Sequence, residues 1–265
     1  MRYEMLGPLR VRDENTYFTL HAQKVEMVLT VLLIRADHLV SPEQLMREIW
    51  GENLPRRAAA GLHVYVSRLR KFLKLPGASG NPVETRTPGY VLHKGDDQID
   101  AQIFPELVDV GRSLLREQRT DEAASCFSQA LALWRGPIPG HSGDGTGAKG
   151  PIIDGFSTWL TEIRRECQEM LVECQLQLGR HREAVSMLYA LTAENPMCEA
   201  FYRQLMLALY RSERQADALK VYQSVRKTLN DELGLEPGRP LQDLQRAILS
   251  GDMHLMSSPL AMSDR

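Results

Sequence analysis

Residues 57–73 read RAAAGLHVYVSRLRKFL, and this stretch decides how the N-terminal part of the chain folds. Its large apolar residues recur at steps of four, three and four, the spacing of one buried side of an α-helix: Leu62, Val66, Leu69 and Leu73. The opposite side carries small, apolar and basic residues: Arg57, Ala60, Val64, Ser67, Arg68 and Lys71. The pattern therefore predicts a helix that buries one stripe and exposes another.

The exposed stripe has the residue types that contact a DNA major groove. Arginine can pair bidentately with guanine, valine can touch a thymine methyl group, and serine can bond a phosphate. Between positions 53 and 83 there is no acidic residue, whereas six basic residues occur: Arg56, Arg57, Arg68, Arg70, Lys71 and Lys74. From this helix alone, an ordinary solvated basic face is as good an interpretation as a DNA-binding face. The flanking sequence has to distinguish the two.

Strands and helices are predicted before this helix. Residues 3–11 and 17–20 have the composition of two short strands around turn residues 13–15, and an apolar helical pattern follows over residues 23–35. Another helix is predicted to run to about residue 50, because a capping box marks its start and a glycine its end: Ser41, Gln44 and Gly51.

A β-hairpin is predicted after the helix. Residues 83–87 and 90–92 have strand character on either side of Pro88 and Gly89. A hairpin directly after a recognition helix is a wing, and Arg86 on it could enter an adjacent minor groove. Strands, three helices and a hairpin in this order are the layout of a response-regulator output winged helix.

The second half of the chain carries a helical repeat. A small, a bulky and an apolar residue have the spacing of the second helix of a tetratricopeptide hairpin in three places: Ala123, Phe127 and Ala130; Ala184, Leu188 and Leu191; Ala218, Tyr222 and Val225. The last two copies are 34 residues apart. The first copy begins 61 residues before the second, which is longer than one 34-residue period. The additional residues include 136–150, which are predicted to form a glycine- and proline-rich loop.

A long helix is predicted before Gly179, with one apolar face: Trp159, Leu160, Ile163, Cys167, Met170, Leu171, Cys174 and Leu178. Stacked hairpins would bury most of this apolar surface in a continuous core. What remains exposed would be a protein-binding surface.

Charge and composition limit the possible functions. The net charge of −2 divides into +5 for residues 1–95 and −7 for residues 96–265, which favours a polyanion-binding first part. The longest apolar run, residues 27–34, is too short to cross a membrane, and the N-terminus lacks a secretory signal. A cytoplasmic, nucleoid-associated protein is expected, with no membrane partner.

The four cysteines are expected to be buried, reduced thiols: Cys126, Cys167, Cys174 and Cys198. None has the spacing of a zinc site, so neither a metal nor a cofactor is expected.

Eight motifs in order resemble the Streptomyces antibiotic regulatory protein family of transcriptional activators, small type. They lie in residues 6–9 (LGPL), 49–51 (IWG), 65–70 (YVSRLR), 88–90 (PGY), 130–136 (ALALWRG), 178–181 (LGRH), 204–211 (QLMLALYR), and 232–234 with 237–238 (ELG and PG).

The expected fold is mainly α: a winged helix-turn-helix of α+β type over residues 1–95, then an all-α, tetratricopeptide-like bacterial transcriptional activation domain over residues 96–250. Residues 251–265 are expected to form a disordered tail.

The resemblance implies a pathway-specific activator of a secondary-metabolite gene cluster. Such proteins bind direct repeats in double-stranded DNA beside the promoter −35 element, self-associate on that DNA, and recruit RNA polymerase holoenzyme with its sigma factor. No ATPase or receiver-phosphorylation switch is expected, because the sequence carries neither domain.

The expected contacts fall into two sets. DNA would be contacted by Arg57, Val64, Tyr65, Ser67, Arg68, Arg70, Lys71, Arg86 and Thr87. RNA polymerase would be contacted by residues of the connector before the recognition helix: Glu52, Asn53 and Arg56. A fragment ending near residue 92 is expected to keep DNA recognition.

Two other functions remain as alternatives. Residues 145–150 fit the pattern G-x-G-x-x-G of a nucleotide-binding enzyme, but a loop rather than a predicted strand precedes them. A helical-repeat adaptor that does not bind DNA is the second alternative. The basic stripe followed by a wing argues against it.

Overall fold

The computed structural model describes residues 1–74, 81–138 and 150–251, and their contacts divide the chain into two compact units. The first unit comprises Met1–Leu107 and Gln129–Arg164, and the second comprises Val108–Ser128 and the chain from Arg165 onwards. The described strands all belong to the first unit, whereas the described part of the second consists of helices and turns.

The described part of the first 99 residues contains nine elements: β1 (Arg2–Glu4), β2 (Arg10–Asp13), β3 (Thr16–Thr19), α1 (Gln23–Ile34), α2 (Pro42–Trp50), α3 (Ala58–Leu73), β4 (Val83–Arg86), β5 (Gly89–Leu92) and β6 (Gln98–Ile99). Four strands form a sheet in the order β3-β2-β1-β6, in which β6 runs parallel to β1 and the other neighbours are antiparallel. A separate antiparallel pair, β4 and β5, is the wing. The predicted winged-helix order is confirmed.

Residues 3–11, predicted as one strand, form parts of two strands with a break between them. Gly7 has a φ of 138°, a conformation that L side chains rarely adopt, and Pro8 cannot donate a backbone hydrogen bond. A Cβ added at Gly7 would lie 2.8 Å from Cβ of Arg135, so glycine also permits this close approach. The single-strand prediction is therefore wrong, because the Gly-Pro pair ends the strand.

The three helices of the winged helix pack through their predicted apolar faces. Helix α2 begins with the predicted capping box, in which Ser41 Oγ accepts the Gln44 N–H and Gln44 Oε1 accepts the Ser41 N–H. All four residues of the predicted stripe on α3 are buried: Leu62, Val66, Leu69 and Leu73. The opposite side of α3 therefore faces solvent.

Residues 100–138 and 150–251 form seven further helices: α4 (Asp100–Arg116), α5 (Thr120–Leu131), α6 (Pro151–Gln177), α7 (His181–Glu194), α8 (Glu199–Arg211), α9 (Gln215–Leu233) and α10 (Arg239–Ser250). Within the second unit α8 packs against both α7 and α9, and α10 packs against α8 and α9. Their shared core includes Leu188, Phe201, Leu205 and Val225.

The repeat predicted from sequence corresponds to one recurring turn. In each copy the small residue is buried and lies five positions after a residue with a φ of 61° to 75°: Gln118 and Ala123, Gly179 and Ala184, Glu213 and Ala218. A buried alanine lets paired helices approach closely. Glycine stands at only one of these three turns, so the sequence pattern identified only the turn at Gly179.

Trp159 does not belong to the apolar face predicted for the long helix. Its side chain is 47% exposed and lies beside Phe156 with ring centroids 5.5 Å apart, whereas the neighbouring Leu160 is fully buried. The buried face instead continues through Cys167 and Cys174. The prediction that Trp159 belongs to the buried face is wrong. Adjacent residues on a helix point about 100° apart, so a helix that buries Leu160 turns Trp159 toward solvent.

All four cysteines are free, as predicted, but only Cys167 and Cys174 are fully buried. Burial raises the pKa of each of these two thiols to about 12, so both are protonated at neutral pH. Cys126 and Cys198 are half-buried, which corrects the expectation of four buried thiols.

The predicted division after residue 95 falls inside a continuous structure. Strand β6 pairs with β1, so the first sheet is completed by residues beyond 95. The division of the chain into domains at residue 95 stays a prediction. So does the disordered tail, which lies outside the described residues except for Gly251. The predicted 136–150 loop and residues 145–150 also fall mostly outside them.

Among the described residues, no helix is long and apolar enough to cross a membrane. No group of three or more histidine, cysteine or acidic side chains among them could hold a metal ion.

Candidate nucleic-acid interface

The exposed stripe of α3 carries three cations that have no side-chain partner among the described residues. Arg57, Arg68 and Lys71 are exposed, and none of them forms an ion pair or a side-chain hydrogen bond with any described residue. Between them Val64 is 48% exposed and Ser67 is also exposed. Five predicted contact residues therefore share one solvent-facing side, where unpaired positive charge is available to a polyanion.

Tyr65 faces a different direction from this stripe. Its ring is half-buried and lies 5.8 Å from the ring of Trp50, the last residue of α2. The Lys24 ammonium group lies 5.1 Å from the centre of the same indole ring. Tyr65 thus helps to hold α3 against α2, a packing role that the sequence pattern did not indicate.

Arg70, predicted to contact DNA, is engaged with the wing. Its Nε donates to the carbonyl of Val83 at 2.9 Å, and its Nη2 donates to Thr85 Oγ1 at 2.7 Å. The Asn81 side chain donates to the carbonyl of Arg70 at 2.9 Å and accepts the N–H of Val83 at 3.0 Å. These four residues join the end of α3 to strand β4.

The wing presents Arg86 and Thr87 at its exposed end. Close to that end, two hydrogen bonds of 2.9 Å join the backbones of Val40 and Tyr90, the residue opposite Thr85. The Tyr90 hydroxyl also lies 3.0 Å from Nδ1 of His63 on α3, a contact that sequence reasoning missed. The wing is therefore joined both to α3 and to the segment before α2.

The acidic residue on β4, Glu84, is hydrogen-bonded within the hairpin region. Glu84 Oε2 lies 2.8 Å from His93 Nε2, and this hydrogen bond holds the pKa of the Glu84 carboxyl below its ordinary value. Arg86 lowers the same pKa further. The ionised form of Glu84 is thus favoured by its contact with His93 and by the nearby Arg86.

The connector between α2 and α3 is exposed, as its predicted role as a partner contact requires. Glu52, Asn53 and Arg56 all face solvent, and Leu54 among them is 53% exposed. Glu52 Oε1 accepts a hydrogen bond of 2.7 Å from Arg47. The structure brings the three predicted residues together on one short exposed segment.

A buried carboxylate on α2, which the sequence pattern did not reveal, joins this helix to the start of α6. Glu48 is fully buried and accepts the N–H groups of Ile152 and Ile153 at 2.7 and 3.2 Å. These donors lie in the first turn of α6, where Gly150 has no side chain to cap them. Burial raises the pKa of Glu48, although both hydrogen bonds oppose the shift.

Two families match the chain. Residues 19–92 match the family described as "Transcriptional regulatory protein, C terminal", and residues 99–249 match the "Bacterial transcriptional activator domain".

Relatives match over nearly the whole chain. Regulatory protein DnrI of Streptomyces peucetius is 36% identical over 260 residues, which cover 95% of this chain and 93% of DnrI. Regulatory protein AfsR of Streptomyces griseus is 32% identical over 96% of this chain, but that match spans only 25% of AfsR.

A solved structure has a similar fold. Mycobacterium tuberculosis EmbR, solved in complex with a low affinity phosphopeptide, superposes with a TM-score of 0.84 at 32% identity. The match covers 94% of this chain and 65% of the EmbR chain.

Proposed function

This chain belongs to the Streptomyces antibiotic regulatory protein family of transcriptional activators, and we propose that it binds specific DNA through α3 and the wing. The observation that carries the proposal is the unpaired stripe of Arg57, Arg68 and Lys71, which shares one face of α3 with Val64 and Ser67. Lysine and arginine release counterions from phosphates, while arginine and valine can distinguish base edges. A helix that can both bind phosphates and distinguish bases is suited to a major groove, and the wing beside it is suited to the adjacent minor groove.

The target is a pair of direct repeats beside the −35 element of promoters in a secondary-metabolite gene cluster. Two copies of the chain bind there head to tail, and each places its wing toward the neighbouring groove. The connector residues Glu52, Asn53 and Arg56 contact RNA polymerase holoenzyme at its sigma factor. Binding takes place at the nucleoid in the cytoplasm.

A gel-shift titration tests DNA binding directly. The full chain is mixed with duplex DNA from upstream of the gene cluster, in competition with random duplex of equal length. We expect a complex that survives an excess of random DNA and footprints as two adjacent protected segments. An adaptor or an enzyme would give no sequence-selective complex, and that result would contradict the proposal.

Recruitment needs a separate test, because DNA binding alone does not activate transcription. In a transcription reaction with purified holoenzyme, substitution of the exposed connector residue Arg56 by alanine should lower promoter output. The same variant should bind the isolated operator as the unmodified chain does. Normal output from Arg56→Ala together with Glu52→Ala would exclude the connector as the polymerase contact.

A further inference from the structure

Arg70 lies on α3 two residues after Arg68, yet its guanidinium group is hydrogen-bonded to strand β4 of the wing. Both hydrogen bonds that the Arg70 side chain donates are short, 2.9 Å to the Val83 carbonyl and 2.7 Å to Thr85 Oγ1. The two acceptors are two residues apart on β4. A planar guanidinium donates two such bonds in a fixed geometry, whereas a lysine ammonium is a point donor on a flexible stem.

The wing needs a support of this kind. It is a two-stranded sheet, and an isolated two-stranded hairpin is only marginally stable in water. Strand β5 is held at Tyr90, the residue opposite Thr85, by Val40 and by the contact of Tyr90 with His63. The strand that leads to Arg86 is held to α3 by Arg70.

Thr85 and Arg86 are neighbours on β4. A hydrogen bond that holds Thr85 therefore also fixes the backbone from which Arg86 projects, while the Arg86 side chain points to the opposite face of the strand. The position of Arg86 relative to Arg68 thus depends on the Arg70–Thr85 bond. That relative position decides whether helix and wing can engage one DNA site together.

We propose that Arg70 is a positioning residue, which sets the wing relative to α3 so that Arg86 engages DNA in register with the recognition helix. The proposal rests on the proposed DNA-binding function and assigns Arg70 no contact of its own with DNA. Arg70 thereby sets the distance between the DNA contacts of α3 and those of the wing, and so the spacing of these contacts on the DNA sites that the protein can bind.

The first test uses the free protein. Thr85→Val removes the side-chain acceptor and keeps shape and charge, and Thr19→Val on β3 is a matched control at another exposed strand threonine. Hydrogen exchange of residues 83–92 should accelerate at least about threefold in Thr85→Val, with α3 unchanged. Unchanged exchange in the hairpin would overturn the inference, whatever the DNA measurements give.

The second test is a double-mutant cycle on operator DNA. Arg86→Ala should weaken binding by about fivefold in the unmodified chain but by less than about twofold in the Thr85→Val chain, because the wing is no longer held in register. Arg68→Ala should cost the same factor in both chains. Full additivity of Thr85→Val and Arg86→Ala would overturn the positioning role.

Arg70→Lys separates geometry from charge. A positioning residue requires the planar fork, so Arg70→Lys should lose as much operator affinity as Arg70→Ala, with the salt slope of binding unchanged. Rescue by lysine, with a salt slope that falls by about one in Arg70→Ala, would instead identify a phosphate contact. A chain that gives no sequence-selective complex at all would overturn the proposed function itself and with it the role of Arg70.

Discussion

Neighbouring cations on α3 have different surroundings, and these determine what each can do. Arg68 and Lys71 face solvent without partners among the described residues, whereas Arg70 donates twice to β4. Helical periodicity predicted which residues would be exposed. It could not predict the role of Arg70, because the acceptors lie 13 and 15 residues away on a hairpin whose placement depends on tertiary packing.

Arg68 is the residue at which base reading is tested most simply. Arg68→Ala should cost about 1–3 kcal/mol of operator binding and relax the base preference at one position. Lys74, an exposed residue just after α3, is the matched control: Lys74→Ala should weaken all sequences alike and lower the salt slope by about one. Gel shifts on operator and random duplex measure both effects. Equal losses on the two DNAs for Arg68→Ala would exclude base reading.

Glu48 gives a prediction about pH. Burial raises its pKa in the folded chain above the ordinary value of 4.5, so folding favours the protonated form. The contribution of Glu48 to the free energy of unfolding is therefore largest below pH 4.5 and declines as the pH rises through the raised value. The variant Glu48→Gln lacks this titration and is the reference.

Urea unfolding of both proteins at a series of pH values measures this effect. The stability of the unmodified chain relative to Glu48→Gln should fall as the pH rises from about 4 to 7. A relative stability that increases with pH would mean that the N–H groups of Ile152 and Ile153 outweigh burial. Sequence reasoning gave no hint of this group, because a glutamate on an amphipathic helix is normally exposed.

At the scale of elements, periodicity predicted every helix of the winged helix and the recurring copies of the hairpin pattern. It failed where a local backbone conformation breaks an apolar run, as at Gly7, and where a non-glycine residue adopts a positive φ, as at Gln118 and Glu213. The close helix packing behind the repeat was nevertheless visible as buried alanines at fixed spacing.

The repeat makes a testable claim about helix packing. Ala218 is fully buried on α9, and Ala216 on the same helix is exposed. Ala218→Leu should reduce the free energy of unfolding by about 1–3 kcal/mol, because the added carbons enter a packed core. Ala216→Leu should change it by less than about 0.5 kcal/mol. Urea unfolding distinguishes the two, and equal effects would contradict close helix packing at Ala218.

At the scale of the whole molecule, the winged helix is completed by residues beyond the predicted boundary. Strand β6 extends its sheet, and the buried carboxylate of Asp100 accepts the N–H groups of Met5 and Leu6 at 2.8 and 3.1 Å. The N–H groups that satisfy Glu48 come from α6. Sequence motifs could not reveal this, because the pairing joins segments about 95 to 105 residues apart.

A fragment of residues 1–95 should therefore behave differently from the sequence-based expectation for a fragment ending near residue 92. Without β6, Asp100 and α6 we expect loss of cooperative unfolding and at least about tenfold weaker operator binding, since buried polar groups lose their partners. A chain of residues 1–251, which keeps every described residue, is the control. Circular dichroism and gel shift measure both properties. A fragment that folds cooperatively and binds as tightly as the control would contradict the role of these contacts.

The most direct measurement of sequence-specific DNA binding is selection of duplexes from a random pool with the full chain, followed by sequencing of the bound fraction. We expect enrichment of two copies of one short motif in direct orientation, with centres about 10–11 base pairs apart, one helical turn. An enriched palindrome would reject head-to-tail binding and leave DNA recognition by α3 in place. A bound fraction without any enriched sequence would contradict sequence-specific DNA binding itself.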